Sequence, residues 1–407
     1  MTYHFYAAVT PGLPAPAASP WQKFPPYNFV GGHNDPGSLP VDKLTAACTD
    51  VLLREGKTLA TYALESGPQG YLPLREFLVN KLNKYAGMQC HTDQILLTSG
   101  SLQAIDLINE ALLKPSDTVI IEASNYGGVI SRLNRLNVNV VSVDIDQHGM
   151  QTEQLATTLA QLAEQNIKPA YIYTIPTVHN PTGSIMSRHR REQLISLAAE
   201  YNIPVFEDEC YADLIWDGRR PPALHALDRS GCVVHVGSFS KTIAPALRVG
   251  YVVADWSLIG QLLSLKTDAG SGALEQMLLA EYCHKHFDEH LATLNINLKY
   301  KLDILCQAID REFGTTAEYT VPPGGIFLWL KLPEAVNTAK LAAVADAEGV
   351  AINPGNEWSL QSDANRHLRL CFANPDSNTI EAGIAKLAEI CHREFGVPVF
   401  AANTQKT

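Results

Sequence analysis

Short apolar runs alternate with helical patterns through the middle of the chain, between residues 95 and 255. The runs cover residues 95–98, 118–122, 138–143, 170–175, 204–207, 233–237 and 250–253, lengths that suit buried strands. Strands that alternate with helices are typical of a mostly parallel sheet with helices on both faces. The pattern therefore predicts an α/β fold with a seven-stranded sheet.

The rest of the chain has a different pattern. Residues 256–310 are predicted to be helical, and from about residue 315 the chain becomes α+β, with a strand over 324–332 and a helix over 338–348. We predict a loosely ordered N-terminal segment over 1–28, a large domain over 59–299, and a smaller α+β domain formed by 29–58 and 300–400.

One lysine lies among hydroxyls and an arginine just after the sixth run. Ser238, Ser240 and Lys241 follow it directly, and Arg248 comes seven residues after the lysine. A lysine held near donors and positive charge can lose its proton and form a Schiff base with a carbonyl. Hydroxyls and a guanidinium are what a phosphate needs. A carbonyl cofactor with a phosphate is indicated, namely pyridoxal 5'-phosphate.

Two earlier runs also end in polar side chains, where open α/β sheets bind ligands. Asp208 directly follows the fifth run and can pair with a protonated pyridine nitrogen, which keeps the ring an electron sink. Asn180, in an Asn-Pro-Thr-Gly turn, and Tyr211 can hold the phenolic oxygen from two sides. An ordinary turn is the structural alternative for Asn180.

A phosphate site is also indicated at the start of a helix. Ser99, Gly100 and Ser101 follow the first run, and a helical pattern begins at Leu102. Free backbone N–H groups and the helix dipole favour an anion there, although capping by either serine is compatible with the same pattern. Tyr126, after the second run, can stack on the pyridine ring or simply pack in the core.

In this order, the motifs resemble those of the fold type I pyridoxal-phosphate aminotransferases of class I/II. Further sequences resemble the branch with 2-aminoadipate and kynurenine aminotransferases: GYLPLR at 70–75, GGIFLW at 324–329 and HLRLCF at 367–372. The resemblance extends from about residue 29 to residue 397. It implies transamination of an L-amino acid to its 2-oxo acid, in a homodimer with active sites at the interface.

The resemblance also implies roles for individual residues. Lys241 is the Schiff-base lysine and moves the α-proton, while Arg369 holds the substrate α-carboxylate with a planar guanidinium. The remaining roles are Asp208 on the pyridine nitrogen, Asn180 and Tyr211 on the phenolic oxygen, Tyr126 over the ring, and Ser101, Ser238, Ser240 and Arg248 on the phosphate.

Two positions depart from the family pattern near the phosphate. Members usually have Tyr-Gly-x-x-x-Gly-Tyr, whose first tyrosine reaches the neighbouring subunit's phosphate, but Glu65 or Ser66 stands there in this chain. Either Tyr62 takes over this role or the edge of the pocket faces another group, because a carboxylate would repel a phosphate. Leu102 stands where the branch often has glutamine.

The N-terminal region bears on the substrate. In the aminoadipate branch an N-terminal helix carries an arginine for the distal carboxylate, whereas the first arginine here is Arg54. The corresponding stretch, residues 29–36, offers His33, Asn34 and Asp35 to a substrate side chain. The residues predicted to contact the substrate, besides Arg369, are Gly32, His33, Tyr62 and Asn180. We therefore expect a neutral, polar or cationic side chain rather than a second carboxylate. The structural alternative is a turn on the entrance loop.

Composition restricts the partners and the compartment. A net charge of −11 disfavours nucleic acid and anionic membranes. No apolar stretch of membrane-spanning length and no signal-peptide pattern is present, so a cytoplasmic protein is expected. The eight cysteines are not closely paired and are expected to be reduced. The histidines at 284, 286 and 290 are expected on a solvated helix face, with no metal site.

Two alternatives to transamination stay open from the sequence. The same cofactor supports elimination, replacement, decarboxylation and carbon–carbon condensation, and the unusual phosphate edge and entrance make this rival serious. A non-catalytic sensor is the other alternative. Regulators on this fold carry an N-terminal DNA-binding domain, for which the roughly 28 residues before Phe29 are too few.

Overall fold

The computed structural model describes residues 23–398. Its strands are β1 (Tyr27–Asn28), β2 (Ile95–Thr98), β3 (Thr118–Glu122), β4 (Asn139–Val143), β5 (Ile145–Asp146), β6 (Gly149–Met150), β7 (Tyr171–Thr174), β8 (Val205–Asp208), β9 (Val233–Ser238), β10 (Gly250–Val253), β11 (Glu318–Tyr319), β12 (Phe327–Lys331), β13 (Val350–Ala351), β14 (Asn353–Pro354) and β15 (His367–Cys371). Its α-helices are α1 (Val41–Glu55), α2 (Leu72–Ala86), α3 (Ser101–Leu112), α4 (Gly127–Arg135), α5 (Thr152–Glu164), α6 (Arg188–Glu200), α7 (Leu224–Leu227), α8 (Trp256–Leu265), α9 (Ala273–Phe313), α10 (Thr338–Ala347) and α11 (Ser377–Phe395).

The central sheet has seven strands in the order β2-β10-β9-β8-β7-β3-β4. Only β10 is antiparallel to its neighbours β2 and β9; the other pairs are parallel. Every residue of β2, β3, β7, β8, β9 and β10 is buried, which explains their continuous apolar sequences. The predicted α/β fold with a mostly parallel seven-stranded sheet is confirmed, and each predicted run coincides with one strand to within a residue at either end.

Helices cover the sheet on both faces. Alternate strand residues point in opposite directions, so the apolar strands give the sheet two apolar faces that must be buried. On one face α3, α4 and α8 pack against Val119, Ile121, Tyr173 and Phe206. On the other face α5 and α6 pack against Ile120, Ile172 and Val205. The sheet is thus a rigid buried layer whose polar loops emerge at its ends.

The long helix α9 connects the central sheet to the C-terminal part. It has 41 residues and buries a row of leucines that includes Leu291, Leu298 and Leu305. It packs against α1, α2 and α11. The domain division predicted after residue 299 falls inside this helix and stays a prediction.

A second, four-stranded antiparallel sheet has the order β11-β12-β15-β14. The short strand β1 pairs in parallel with β13, so the chain near residue 28 joins the C-terminal part. Most of the N-terminal segment predicted over 1–28 lies outside the described residues. No helix among the described residues has both the length and the apolar character needed to cross a membrane.

Candidate active site

Polar loops gather at one edge of the central sheet. Strands β2 and β9 both run antiparallel to β10, so they share a direction, and β7 and β8 run parallel to β9. The carboxyl ends of these strands therefore meet at the same edge. This edge carries the residues predicted from the sequence around 99–101, 180, 208–211 and 238–241.

Lys241 is held by the segment that precedes α1. Its Nζ donates to the carbonyl oxygen of Gly32 at 2.5 Å, and Nδ2 of Asn34 donates to the carbonyl oxygen of Lys241 at 2.8 Å. Burial lowers the pKa of Lys241, and the charges of Arg369 and Arg248 lower it further. A lowered pKa makes the neutral, nucleophilic amine more accessible at neutral pH.

Asp208 is buried at the end of β8, where the hydroxyl of Tyr173 and both the thiol and the backbone N–H of Cys210 hydrogen-bond to it. Oη of Tyr173 donates to its Oδ2 at 2.7 Å, and the backbone N–H of Cys210 donates to its Oδ1 at 3.2 Å. Burial raises the pKa of Asp208, while these hydrogen bonds act in the opposite direction. Hydrogen bonds to a carboxylate favour its charged form.

A chain of hydrogen bonds joins Arg369 to Tyr211. Nη1 of Arg369 donates to Oδ1 of Asn180 at 3.2 Å, and Nδ2 of Asn180 donates to Oη of Tyr211 at 3.2 Å. Burial holds the pKa of Tyr211 well above its usual range, so its hydroxyl stays protonated at neutral pH. The loops after β7 and β8 are thereby linked to strand β15.

Arg369 itself is 4% exposed and has no ion pair among the described residues. Its Nη2 donates to Oδ1 of Asn353 at 2.7 Å and to the carbonyl oxygen of Val30 at 3.1 Å, but its Nε has no hydrogen-bond partner. Its Cζ lies 3.8 Å from the ring centre of Phe327 and 3.5 Å from that of Trp358. Burial lowers the pKa of Arg369 to about 10, so it remains a cation at neutral pH.

The start of α3 fits a phosphate. Gly100 is its N-cap, with no side chain capping the helix and with φ +79°. A Cβ at Gly100 would lie 2.2 Å from Nη2 of Arg248, and this Nη2 donates to the carbonyl oxygen of Ser99 at 3.3 Å. Uncapped backbone N–H groups beside a guanidinium form an anion site. The residues present therefore fit the phosphate of the predicted cofactor.

The neighbouring serines belong to the same region. The backbone N–H of Ser240 donates to Oγ of Ser238 at 3.1 Å, and both side chains are buried. The hydroxyl of Ser101 interacts with the thiol of Cys210. Leu102 packs its side chain against the core under α3, so toward a phosphate it offers only its backbone.

Three other predicted residues lie in different surroundings. Tyr126 is the N-cap of α4 and its ring centre lies 5.9 Å from that of Trp358; burial raises its pKa. His33 is half-buried, and burial and Lys241 lower its pKa. Tyr62 is 86% exposed, so the structure does not bring it to the other site residues within this chain.

Sequence reasoning missed four residues that complete the site. Tyr173 contacts Asp208, Asn353 and Val30 contact Arg369, and Trp358 covers the guanidinium. Asn353 precedes a Pro-Gly turn, which was the one local signal available. The others look like ordinary core residues in the sequence.

The expectation for the histidine-rich stretch was wrong at one position. Nε2 of His290 lies 2.6 Å from the carbonyl oxygen of Thr242, and Oη of Tyr282 lies 2.9 Å from its Nδ1. His290 thus faces the loop that carries Lys241, because α9 turns this side toward the protein. Among residues 23–398, no cluster of three or more histidine, cysteine or acidic side chains could hold a metal ion.

The chain as a whole is similar to known aminotransferases. The sequence model of the family described as aminotransferase class I and II matches residues 33–387. Aromatic-amino-acid aminotransferase 1 of Thermococcus litoralis is 30% identical over 372 residues, which cover 90% of this chain and 88% of that protein. The crystal structure of a kynurenine aminotransferase from Pyrococcus horikoshii, in complex with PMP, superposes with a TM-score of 0.84 at 31% identity, covering 90% of this chain and 91% of that one.

A different class of protein is also similar. An uncharacterized HTH-type transcriptional regulator of Bacillus subtilis is 31% identical over 323 residues, which cover 79% of this chain. The match covers only 65% of the regulator. The similarity therefore does not extend to the rest of the regulator.

Proposed function

This chain belongs to the aminotransferase class I and II family, and we propose that it transfers the amino group of a neutral or polar L-amino acid to a 2-oxo acid at the site around Lys241. The family relationship makes it a pyridoxal-phosphate-dependent aminotransferase. The residue roles, the substrate class and the assembly are our proposals. The buried guanidinium of Arg369, which lacks an ion pair among the described residues, is the observation that carries the assignment.

Arg369 is prepared for an anion that comes with the substrate. A buried charge without a partner is costly, and a carboxylate that binds a planar guanidinium through two parallel hydrogen bonds compensates it. Asn180 and Asn353 orient the guanidinium from two elements. An amino acid held there by its α-carboxylate has its α-carbon fixed relative to Lys241 and Asp208.

The cofactor, when bound, supplies a carbonyl for the amine and a pyridinium ring that withdraws electrons from the carbon that loses its proton. Asp208 would hold the ring nitrogen, and Asn180 and Tyr211 the phenolic oxygen. Ser101, Ser238, Ser240 and Arg248, with the start of α3, would hold the phosphate, and Tyr126 would cover the ring. The uncapped helix start and the guanidinium of Arg248 support this placement.

Lys241 would carry the proton. Burial lowers the pKa of its Nζ, so this amine can accept the α-proton and return it within one site. The carbonyl oxygen of Gly32, at 2.5 Å, holds Nζ in place when no other partner is bound. One group that both removes and returns a proton is what an amino transfer requires.

The surroundings of His33 disfavour a second carboxylate on the substrate. Burial lowers the pKa of His33, so at neutral pH its ring is neutral. Lys43 is already paired with Glu289 at 2.7 Å, and Arg54 with Glu281 at 2.7 Å. Among the described residues 23–55, the side-chain carboxylate of a dicarboxylic substrate would therefore find no unpaired arginine. A neutral or polar side chain requires none.

We propose a homodimer in which a second copy covers an exposed apolar segment. The segment comprises the end of α1, the turns after it and the first turn of α2. Its large apolar side chains are more exposed to solvent than is usual for such residues. They are Leu52, Leu53, Leu59, Tyr62 and Leu72. Beside Tyr62 lies a cavity of about 700 Å³ that Lys266 and Gln276 also line. We also propose a cytoplasmic location, which the eight unpaired cysteines support.

The test is a half-reaction. The holoenzyme is mixed with single amino acids without an acceptor, and the cofactor spectrum and the products are followed. We expect one equivalent of the matching 2-oxo acid per site and loss of the yellow colour, fastest with neutral or polar side chains. A changed spectrum without 2-oxo acid would instead indicate another pyridoxal reaction, and no change with any amino acid would indicate a sensor.

A further inference from the structure

Tyr173 lies behind Asp208 on the same face of the sheet. It stands opposite Phe206 in the pairing of β7 with β8, and Asp208 is two residues further along β8. Residues two apart on a strand share a face. The hydroxyl of Tyr173 reaches Oδ2 of Asp208 at 2.7 Å, and Tyr173 is fully buried.

The hydroxyl can act only as a donor to this carboxylate. Burial, with the nearby charge of Asp208, holds the pKa of Tyr173 well above its usual range, so its proton stays on the hydroxyl. Glu122, the other acidic group near it, is already held by Thr174, Ile175 and Asn125. Tyr173 therefore serves Asp208 rather than Glu122.

The other neighbours of Asp208 leave room for one more partner. The backbone N–H of Cys210 reaches its Oδ1 and the thiol of Cys210 also hydrogen-bonds to this carboxylate, while His235 is paired with Glu207 at 2.9 Å. The two carboxylate oxygens together can accept about four hydrogen bonds, so these three donors still leave acceptor capacity for one more. A ring N–H from the cofactor can take that capacity.

We propose that Tyr173 is a positioning residue of this site: its hydroxyl donates to Asp208 and keeps that carboxylate ionised opposite the cofactor's ring nitrogen. This inference rests on the proposed function, which assigns Asp208 to the ring nitrogen. Without the hydroxyl, the buried carboxylate loses a hydrogen bond to its charged form, and the proton shared with the ring nitrogen shifts toward Asp208. The ring then withdraws fewer electrons.

The chain offers a matched control on the same strand. Tyr171 is also buried, on the same face, and its hydroxyl donates at 2.7 Å, but to Oδ1 of Asn109. Both tyrosine rings pack edge-on against Phe206. Tyr171→Phe and Tyr173→Phe therefore remove the same chemical group from the same layer of the core, and only one of them acts on Asp208.

The experiment measures the protonation of the ring nitrogen directly. Wild type, Tyr173→Phe, Tyr171→Phe and Asp208→Asn are reconstituted with cofactor labelled with nitrogen-15 at the ring, and the chemical shift of this nitrogen is recorded. In Tyr173→Phe we expect it to move toward that of an unprotonated pyridine, with about tenfold slower half-reaction and about tenfold weaker cofactor binding. Tyr171→Phe should keep the wild-type shift and rate.

The variants separate the possible failures. If Asp208→Asn moves the nitrogen shift and Tyr173→Phe leaves it unchanged, the role of Tyr173 is wrong and the proposed site stands. If Tyr171→Phe moves it as much as Tyr173→Phe, strand packing is the cause and the inference is also wrong. If Asp208→Asn leaves it unchanged, the assignment of Asp208 fails and the inference fails with it.

Discussion

The guanidinium carbon of Arg369 lies 3.5 Å from the centre of the Trp358 ring. An aromatic face attracts a cation but does not neutralise it. Because Arg369 has no ion pair among the described residues, the protein keeps a desolvated charge in position. A carboxylate that arrives with the substrate would compensate this buried charge.

Arg369→Lys should weaken amino acid binding while leaving the fold intact. Lysine keeps the charge but cannot form two parallel hydrogen bonds with a carboxylate. We expect KM to rise by about 10- to 100-fold, with a smaller change in kcat, in steady-state kinetics. An amine that lacks the carboxylate is the control: it should react equally slowly with both proteins. If the variant slows this amine as well, Arg369 acts on the site as a whole.

His33→Arg should extend the enzyme toward dicarboxylic amino acids. The substitution adds a cation where the ring of His33 is neutral at neutral pH, close to Lys241. We expect kcat/KM for an amino acid with a side-chain carboxylate to rise by about tenfold relative to a neutral one of equal length. His33→Gln, which adds no charge, should leave that ratio unchanged. An equal ratio in both variants would show that His33 does not face the substrate.

Asp213→Ala should strongly destabilise the protein. Nζ of Lys81 pairs with Asp213 at 2.7 Å, with both side chains nearly fully buried, and Nη1 of Arg220 contacts the same carboxylate at 2.9 Å. Removing one partner of a buried pair leaves an uncompensated charge, which costs about 3–5 kcal/mol of unfolding free energy. Asp303→Ala, which breaks the exposed pair with Lys299 on α9, should cost less than about 1 kcal/mol in the same denaturant titration.

The same carboxylate should contribute to acid unfolding. Burial raises the pKa of Asp213, but Lys81 and Arg220 outweigh it and hold the pKa below its usual 3.8. The unfolded chain therefore binds this proton at higher pH than the folded one, so the stability is present above 3.8 and is lost as the pH falls below it. Wild type should lose stability more steeply than Asp213→Asn over this acidic range. Parallel curves would contradict an ionised Asp213.

Leu53→Asp should disrupt the proposed homodimer. Leu53 is 83% exposed at the end of α1, and a charge there would be desolvated by a second copy. Sedimentation equilibrium should give twice 44.5 kDa for wild type and 44.5 kDa for the variant. Ile296→Asp is the control, because Ile296 lies far from Leu53. Arg54, the neighbour of Leu53, pairs with Glu281 on α9, and Ile296 lies about 22 Å further along this helix. Dimers in both variants would place the interface elsewhere.

The sequence predicts the central sheet well because buried strands require continuous apolar runs. Residues 118–122 and 250–253 form strands with the predicted limits. Lys241, Asp208 and Asn180 could be singled out because each follows a strand, and strand ends of a parallel sheet meet at one edge. Each of these signals is local, because the polar residue lies close in sequence to the apolar run that identifies its strand.

The remaining contacts depend on packing between distant parts of the chain. Tyr173 occurs in an apolar run, and nothing in that run shows that its hydroxyl meets Asp208. Trp358 reaches Arg369 through a turn that the sequence does not locate, and His290 looks solvated until α9 is placed against Thr242. Side-chain partners of this kind follow from the tertiary fold and cannot be predicted from periodicity.

The most direct test asks which lysine carries the cofactor. The yellow holoenzyme is reduced with borohydride, digested and analysed by mass spectrometry, with Lys241→Ala as the control. We predict a pyridoxyl group on the peptide that contains Lys241. In the variant this modification should be absent, and the half-reaction should be at least about 100-fold slower. A modified lysine elsewhere, or no modified peptide, would contradict the assignment of this site.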